Sequence, residues 1–315
     1  MRRNELSDRY YNNLTCKIFV MGHATQGESI AVILYDGVDV VYSCIVDAFV
    51  ANDRIVPKEL LHGLGITQIT ELFWTHPHED HSDGIAELID EFTPLYIYIA
   101  NELHTIPSKE DTTIGMVLSK INSFRGYDKR CKNQPKVLGI STNSYVRAET
   151  LRVGTKFVDF EIFTVAPPDG IVRKKSIDGN YRSPNDYSVV LSMNIGDFSV
   201  LLTGDIQDRI IEAANEDLFR NIPVPNLLKI PHHGSIDSVK ILDLFETDES
   251  IDIGITTAKK SSFLPRQEAL DIYCSRCAMA YRIDPTTSCW AIWGIEVDVI
   301  AGTATEIRKE AFVRI

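Results

Sequence analysis

No run of this chain comes near the ~20 consecutive apolar residues that a membrane helix needs, so the sequence predicts a protein without membrane spans. The basic start, MRRNELSDRYYNN, is followed by no apolar segment, which argues against a secretion signal. Cysteine is scarce: six residues scattered over 315 do not suggest a disulfide framework, and the expected location is the cytoplasm, with reduced thiols. A linker rich in Pro, Gly or Ser is missing, and so is any internal sequence repeat. Residues 1-315 are therefore expected to form a single domain. Positive charge is in deficit, with 32 Lys and Arg against 44 Asp and Glu and a net charge of −12. Such a surface does not attract nucleic acid or anionic membrane over its whole area. A local basic channel remains compatible with it, and bound cations offset part of the formal charge.

What is present is an ordinary globular composition, 44% apolar and 24% charged, enough to bury a substantial core. Ile30–Tyr35 and Val38–Val46 are β-branched runs joined by Asp36-Gly37, a strong hairpin signal. A second hairpin is expected from Ser188–Asn194 and Asp197–Thr203 through Ile195-Gly196. Cys16–Met21, Ile69–Trp74, Tyr96–Ala100, Lys156–Val165, Leu227–Ile230 and Ile251–Thr256 read as further strands. Pro57–Leu64, Gly84–Phe92, Asp111–Ser123 and Asp208–Leu218 read as helices, with Ser82 or Asp83 capping the second. The interval at about 105-150 looks like an irregular elaboration, and Ile171–Ser183 like a polar, basic loop. Hairpins followed by strand–loop–helix units in both halves fit two β-sheets packed between outer helices.

Five of the eight histidines fall in two clusters, His76/His78/His81 and His232/His233, each directly after an apolar strand. Loops at strand ends are where sites are built on a rigid base. Imidazole and carboxylate donors suit zinc and neighbouring transition metals. Four donors in the six residues His76 to His81 cannot all reach one ion from one short loop. The reading is a split, with His76 and His78 on one ion and Asp80 and His81 on a second. Asp205 and the His232-His233 pair, each just past an apolar strand, are the natural suppliers of bridging and closing ligands.

The segment THPHEDH (residues 75–81) resembles the signature of the metallo-β-lactamase superfamily, and Asp47 matches its earlier aspartate at a strand end. More narrowly, the chain is similar to the soluble metallo-β-lactamase domain of the competence protein ComEC. Phe19–Ile30, Asn185–Val190, Leu201–Asp205 and Leu228–Ser235 resemble that group's entry loop, NxxSxV strand, LLTGD and LKxPHHGS segments. The resemblance implies a four-layer αββα metallo-β-lactamase sandwich and two divalent metal ions, zinc first and manganese second. Carried over by position, it implies His76, His78, Asp80, His81 and Asp205 as ligands, Asp205 bridging. One of His232 and His233 closes the site or donates a proton. Two departures stand out. Between His81 and Asp205 the only histidine is His104, and Val165-Ala166-Pro167-Pro168 stands where many members have a ligand. Leu264-Pro265 replaces a His-Pro pair.

A two-metal centre activates water for attack on phosphorus or a carbonyl carbon. Asp80 is expected to orient that water as well as bind metal, and His232 or His233 to protonate the leaving oxygen. Asp47 would support a ligating histidine from behind, with Lys229 and Ser235 as further candidates for substrate or support. The expected activity is that of a phosphodiesterase or nuclease, with nucleic acid or another phosphodiester as partner. Lys129, Arg130, Lys132, Arg173, Lys174, Lys175 and Arg182 are candidates for a binding rim. The alternatives are a small-molecule hydrolase (lactone, thioester or cyclic nucleotide) and a module silent until a protein partner activates it. Cys274-Ser275-Arg276-Cys277 is read as two helix cysteines one turn apart, His62 as a surface or packing residue of a short helix and Trp74 as core; His23 lies in the entry loop, which in this family can approach the metals, and is not counted among the site residues.

Overall fold

The alternation of β-branched runs with short helical segments produces two large sheets. The computed structural model describes residues 6–125, 134–140, 142–179, 181, 183–214 and 222–315. Among these, an eight-stranded sheet runs in the spatial order Thr303–Glu310, Trp290–Asp298, Leu14–His23, Glu28–Asp36, Asp39–Val46, Glu71–Trp74, Tyr96–Ala100 and Lys136–Ile140. A nine-stranded sheet runs Tyr10–Tyr11, Ser144–Val153, Lys156–Ala166, Val190–Ile195, Phe198–Leu202, Leu227–Lys229, Ile251–Thr256, Cys277–Ile283 and Phe312–Arg314. Both expected hairpins form, turning at Gly37 and Gly196 with φ of 63° and 62°. The eight-stranded sheet is antiparallel on one side and parallel on the other; the nine-stranded sheet has the same two blocks, with its edge strands Tyr10–Tyr11 paired parallel and Phe312–Arg314 paired antiparallel.

Strands such as Glu28–Asp36 are buried on both faces. That follows from the layering, because one face meets the other sheet and the other meets helices. Val56–Gly63 and Ile85–Phe92 bury their apolar stripes against the eight-stranded sheet. Asp208–Ala213 and Gln267–Arg276 cover the nine-stranded sheet in a second cluster that includes Ile210, Leu228, Ile230 and Tyr273. The architecture is the αββα sandwich.

Several local expectations need correction. Residues 169–178 form a helix, Asp169–Asp178, closed by Gly179 at φ 61°, where a loop was expected. Its apolar content is too low for a periodic signal, with Val172 as its buried residue. Neither Ser82 nor Asp83 caps the helix at 85. The cap position is Gly84, at φ 99°, where an added Cβ would lie 2.7 Å from Ile55. Of the supposed irregular stretch, Thr113–Arg125 is helical and Lys136–Ile140 and Ser144–Val153 extend one sheet each. Cys277 opens a strand and so is not on a helix with Cys274. Lys129, Arg130, Lys132 and Arg182 lie outside the described residues. No helix among the described residues is long and apolar enough to cross a membrane.

One buried ion pair ties the sheets together. Arg147, from the nine-stranded sheet, donates from Nε (3.1 Å) and a terminal nitrogen (2.6 Å) to Glu71 Oε1 in the other sheet. Tyr42 donates to Glu71 Oε2 at 2.6 Å, and its ring meets Phe160 edge-on at 5.0 Å. Arg147→Ala strands a buried carboxylate and is expected to cost about 3–5 kcal/mol, read from urea unfolding. The double variant Glu71→Leu/Arg147→Met removes both charges while keeping volume, and is expected to retain most of that stability.

Candidate metal centre

Two parallel strands of the eight-stranded sheet, Asp39–Val46 and Glu71–Trp74, end side by side, and their exits carry Asp47 and residues 75–81. Trp74 is fully buried and its indole donates to Ser82 Oγ at 2.9 Å. The Ser82 hydroxyl in turn donates to the His78 carbonyl. The histidine segment is thereby folded back on a core residue. In the other sheet three parallel neighbours, Phe198–Leu202, Leu227–Lys229 and Ile251–Thr256, lead into Asp205, His233 and Thr257. His232, His233 and Gly234 are consecutive left-handed residues, with φ of 48°, 51° and 77°. Two non-glycine residues in that region are strained, and the turn sends the two imidazoles to different surroundings.

The strand ends bring the ligating atoms together. His76 Nε2 lies 3.0 Å from His78 Nδ1 and 3.5 Å from Asp205 Oδ2. His81 Nε2 lies 3.4 Å from Asp205 Oδ1 and 3.3 Å from His233 Nε2. His233 Nε2 is 3.2 Å from Asp80 Oδ2 and 3.6 Å from Asp205 Oδ2. All of these side chains are buried except His78, which is partly so. Asp80 Oδ2 and both Asp205 oxygens have no hydrogen-bond donor among the described residues.

The proton positions follow from what lies behind the rings. Asp47 Oδ1 accepts the Thr75 N–H (2.7 Å), and its Oδ2 accepts the Thr75 hydroxyl (2.6 Å) and faces His81 Nδ1 (2.7 Å). Having given its proton to Asp47, Thr75 Oγ1 accepts from His76 Nδ1 at 2.9 Å. His233 Nδ1 meets Thr257 Oγ1 at 2.8 Å, and that hydroxyl donates to Glu28 Oε2 at 2.6 Å. Each ring therefore holds its proton at Nδ1 and presents an Nε2 lone pair inwards. Lone pairs and unpartnered carboxylate oxygens facing one another in a buried space need a cation between them. The residues fit divalent metal.

The electrostatics point to the same need for positive charge. Burial opposes a charged His81, yet Asp205 and Asp47 hold its pKa well above the ordinary histidine value. Burial also opposes an ionised Asp205, but His233, His81 and His76 keep it well below the usual carboxylate range. Burial, then His76, pushes His78 down to about 3, so that ring is a neutral donor at pH 7.

Ligand atoms cluster as His76/His78/Asp205, as Asp47/His76/His81 and as Glu28/His81/His233. The first matches the expected first ion. Asp47 in the second is already taken up by Thr75 and His81 Nδ1, behind the rings. Glu28 in the third is paired with Lys229 at 2.7 Å. The donor atoms that remain beside His81 Nε2 and face the interior are those of Asp205 and His233, with Asp80 Oδ2 next to His233.

Several sequence expectations change. Lys229 is neither solvated nor open to substrate: it is buried, held by Glu28 and by the Ile230 carbonyl at 2.7 Å. Of the two adjacent histidines, His233 joins the ligand cluster. His232 faces Asp237 Oδ1 at 3.2 Å and Asn185 Nδ2 at 3.2 Å. Ser235 Oγ donates to Asp237, away from the ligand atoms. Lys175 and Arg209 pair with Asp186. His23 is engaged by Thr25 and Ser288, and His62 is a surface residue paired with Glu91. Sequence reasoning missed Thr75, Glu28, Thr257 and Lys259, whose ammonium donates to Asp80 Oδ1 at 2.9 Å. The signals available were Thr75 inside THPHEDH and Glu28 inside the entry-loop segment.

The depressed His78 pKa predicts acid lability of the metal-free protein. Unfolded histidine has a pKa near ~6.5, above the folded value of about 3. Between those values the unfolded chain binds more protons, so stability falls as pH falls. Asp80 and Asp205, both held below their ordinary values, act in the same direction. The urea midpoint of the metal-free protein is expected to drop from pH 6.5 to pH 4, and less steeply in His78→Gln. A flat profile in the unaltered protein contradicts the assignment.

Residues 38–248, more than half the chain, match the family model of the metallo-β-lactamase superfamily. No curated protein matches the chain. Among solved structures it is similar to a protein described as a metal-dependent hydrolase from Parabacteroides distasonis, with 15% identity, 81% of this chain and 88% of that one covered, and a TM-score of 0.42. A diphosphatase of the PhnP family is 14% identical, with 81% and 90% covered and a TM-score of 0.41. An archaeal superfamily protein from Sulfolobus tokodaii is 13% identical, with 62% and 63% covered and a TM-score of 0.31. With its strand-end histidines and aspartates and this family match, the chain belongs to the metallo-β-lactamase superfamily of metal-dependent hydrolases.

Proposed function

We propose that this protein is a phosphodiesterase, acting on nucleic acid or a related phosphodiester, with two divalent ions, zinc or manganese, held by His76, His78, Asp80, His81, Asp205 and His233. The observation that carries the reading is the position of Lys259. A partly exposed ammonium sits on Asp80 at the edge of the ligand cluster, where it favours a substrate that brings negative charge. The resemblance of Phe19–Ile30, Asn185–Val190 and Leu228–Ser235 to segments of the ComEC-like group favours a nucleic-acid substrate. A cytoplasmic, single-domain enzyme is part of the same proposal.

When bound, divalent ions in such a centre supply Lewis acidity and an ionised water at neutral pH. The protein's own groups divide the remaining work. Asp80 orients the attacking water, and Lys259 holds a non-bridging phosphate oxygen. His232, steadied by Asp237 and Asn185 and only partly buried, carries the proton to the leaving oxygen. His233 is a ligand.

The division is tested by metal analysis beside kinetics on bis(p-nitrophenyl) phosphate and on single- and double-stranded DNA and RNA. His232→Gln is expected to lower turnover by ~10²-fold or more with both ions retained. His233→Gln is expected to lose bound metal. Asp80→Ala is expected to abolish cleavage. Turnover of lactones or thioesters alone would sink the phosphodiesterase reading. Two bound ions with no activity would favour a partner-activated module, a reading to which the donor-free Val165-Ala166-Pro167-Pro168 lends some support.

A further inference from the structure

A histidine that binds metal through one nitrogen almost always gives the proton on the other to a fixed acceptor, which sets its tautomer and orientation. Asp47 does this for His81 directly and for His76 through Thr75. His233 has no carboxylate in direct contact at Nδ1: the nearest, Glu28 Oε2, is 3.7 Å away. The gap is filled by Thr257, whose hydroxyl accepts from His233 Nδ1 at 2.8 Å and donates to Glu28 Oε2 at 2.6 Å.

The arrangement crosses the sandwich. Glu28 belongs to the eight-stranded sheet, whereas Thr257, Lys229 and His233 follow or end strands of the nine-stranded sheet. Two features make the crossing possible. Gly22 lies beside Thr257, and a Cβ at Gly22 would stand 2.8 Å from the Thr257 methyl. Lys229 sits 2.7 Å from Glu28 and keeps that carboxylate ionised despite complete burial. An ionised Glu28 accepts only, so the Thr257 proton points at it and the Thr257 lone pair at His233.

We propose that Thr257 and Glu28 are positioning residues of the metal centre, a hydroxyl relay that fixes His233 as the Nδ1–H tautomer with Nε2 aimed at Asp80 and Asp205. Lys229 holds the carboxylate end of the relay in place. The proposal rests on His233 being a metal ligand, and the experiment separates the two ideas.

Metal-free protein is titrated with Zn²⁺ against a chromophoric chelator, and the His233 tautomer is read from ¹⁵N chemical shifts of the imidazoles. Thr257→Val keeps the shape and removes the hydroxyl. It is expected to weaken one of the two zinc ions by ~10–100-fold and to lose the Nδ1–H signature of His233. Thr257→Ser restores the hydroxyl and is expected to bind both ions as the unaltered protein does. If Thr257→Val does not fold, Thr257→Ala removes the hydroxyl without the second methyl. Glu28→Gln is made together with Lys229→Met, so that no buried charge is orphaned, and is expected to weaken the same ion. Unchanged zinc affinity and tautomer in Thr257→Val overturn the relay, as does equal weakening in Thr257→Ser, which would mark a packing effect. Unchanged zinc affinity in His233→Ala overturns the ligand assignment itself.

Discussion

Imidazole lone pairs and carboxylate oxygens face one another across little more than 3 Å at the junction of the two sheets, with His81 and His233 opposed at 3.3 Å. Left without positive charge, that cluster would be among the least favourable features of the molecule, because buried acceptors without donors forfeit their hydration and gain nothing. Its persistence requires a surrounding structure that over-determines it. The tryptophan clamp on the histidine loop, the left-handed turn at His232–Gly234 and the hydroxyls behind the rings all serve that end. The cluster is stable as a place for cations, and the elevated pKa of His81 shows a proton being drawn in by the same carboxylates.

The fold supplies this place through its half-parallel sheets. Antiparallel hairpins form the stiff part of each sheet, while the neighbouring parallel strands all point their carboxyl ends the same way. Five such ends meet, two from one sheet and three from the other. Charged pairs in the interior link the two sheets, and the described residues include two: Glu28 with Lys229 beside the junction, and Glu71 with Arg147 at the amino end of strand Glu71–Trp74. Buried ion pairs are poor sources of net stability but are expensive to mispair. Here each pair joins residues of opposite sheets, which makes a shifted packing of the sandwich costly. Glu28 then serves a second purpose, because the carboxylate that pairs with Lys229 also orients a hydroxyl beneath His233.

Much of this was legible in the chain. Asp36-Gly37 and Ile195-Gly196 marked both hairpins because a left-handed turn between β-branched runs has few other meanings. The strands before His76, Asp205 and His232 announced themselves by short, largely apolar runs, and donors right after them could be grouped without coordinates. What was not legible depends on direction. His232 and His233, though consecutive, meet different surroundings across a turn of two positive φ values, and no pattern of residue types encodes that. Lys229 looked like a strand-end lysine with solvent nearby, since its acid partner lies 201 positions earlier in another sheet. Lys259 and Thr257 carry no motif. Helix 169–178 packs so little apolar surface that its polar run read as a loop.

The two halves of the centre are not equivalent. His81 and His233 each have a proton-fixing partner behind Nδ1, and both present Nε2. His76 shares this plan through Thr75. His78 departs from it: the atom it turns towards His76 is Nδ1, at 3.0 Å, and its ring is the least buried of the four. The strand Lys156–Ala166 ends in an alanine and two prolines, which offer no side-chain donor to that half. An ion beside His78 therefore has fewer pre-oriented ligands than an ion beside His81 and His233. Ligand orientation affects affinity as well as ligand number, so an ion on the His76/His78 side is expected to bind less tightly than one on the His81/His233 side. The sheet-crossing acid Glu28 stands behind His233, reached through the Thr257 hydroxyl, so a buried charge of the opposite sheet backs that half of the centre.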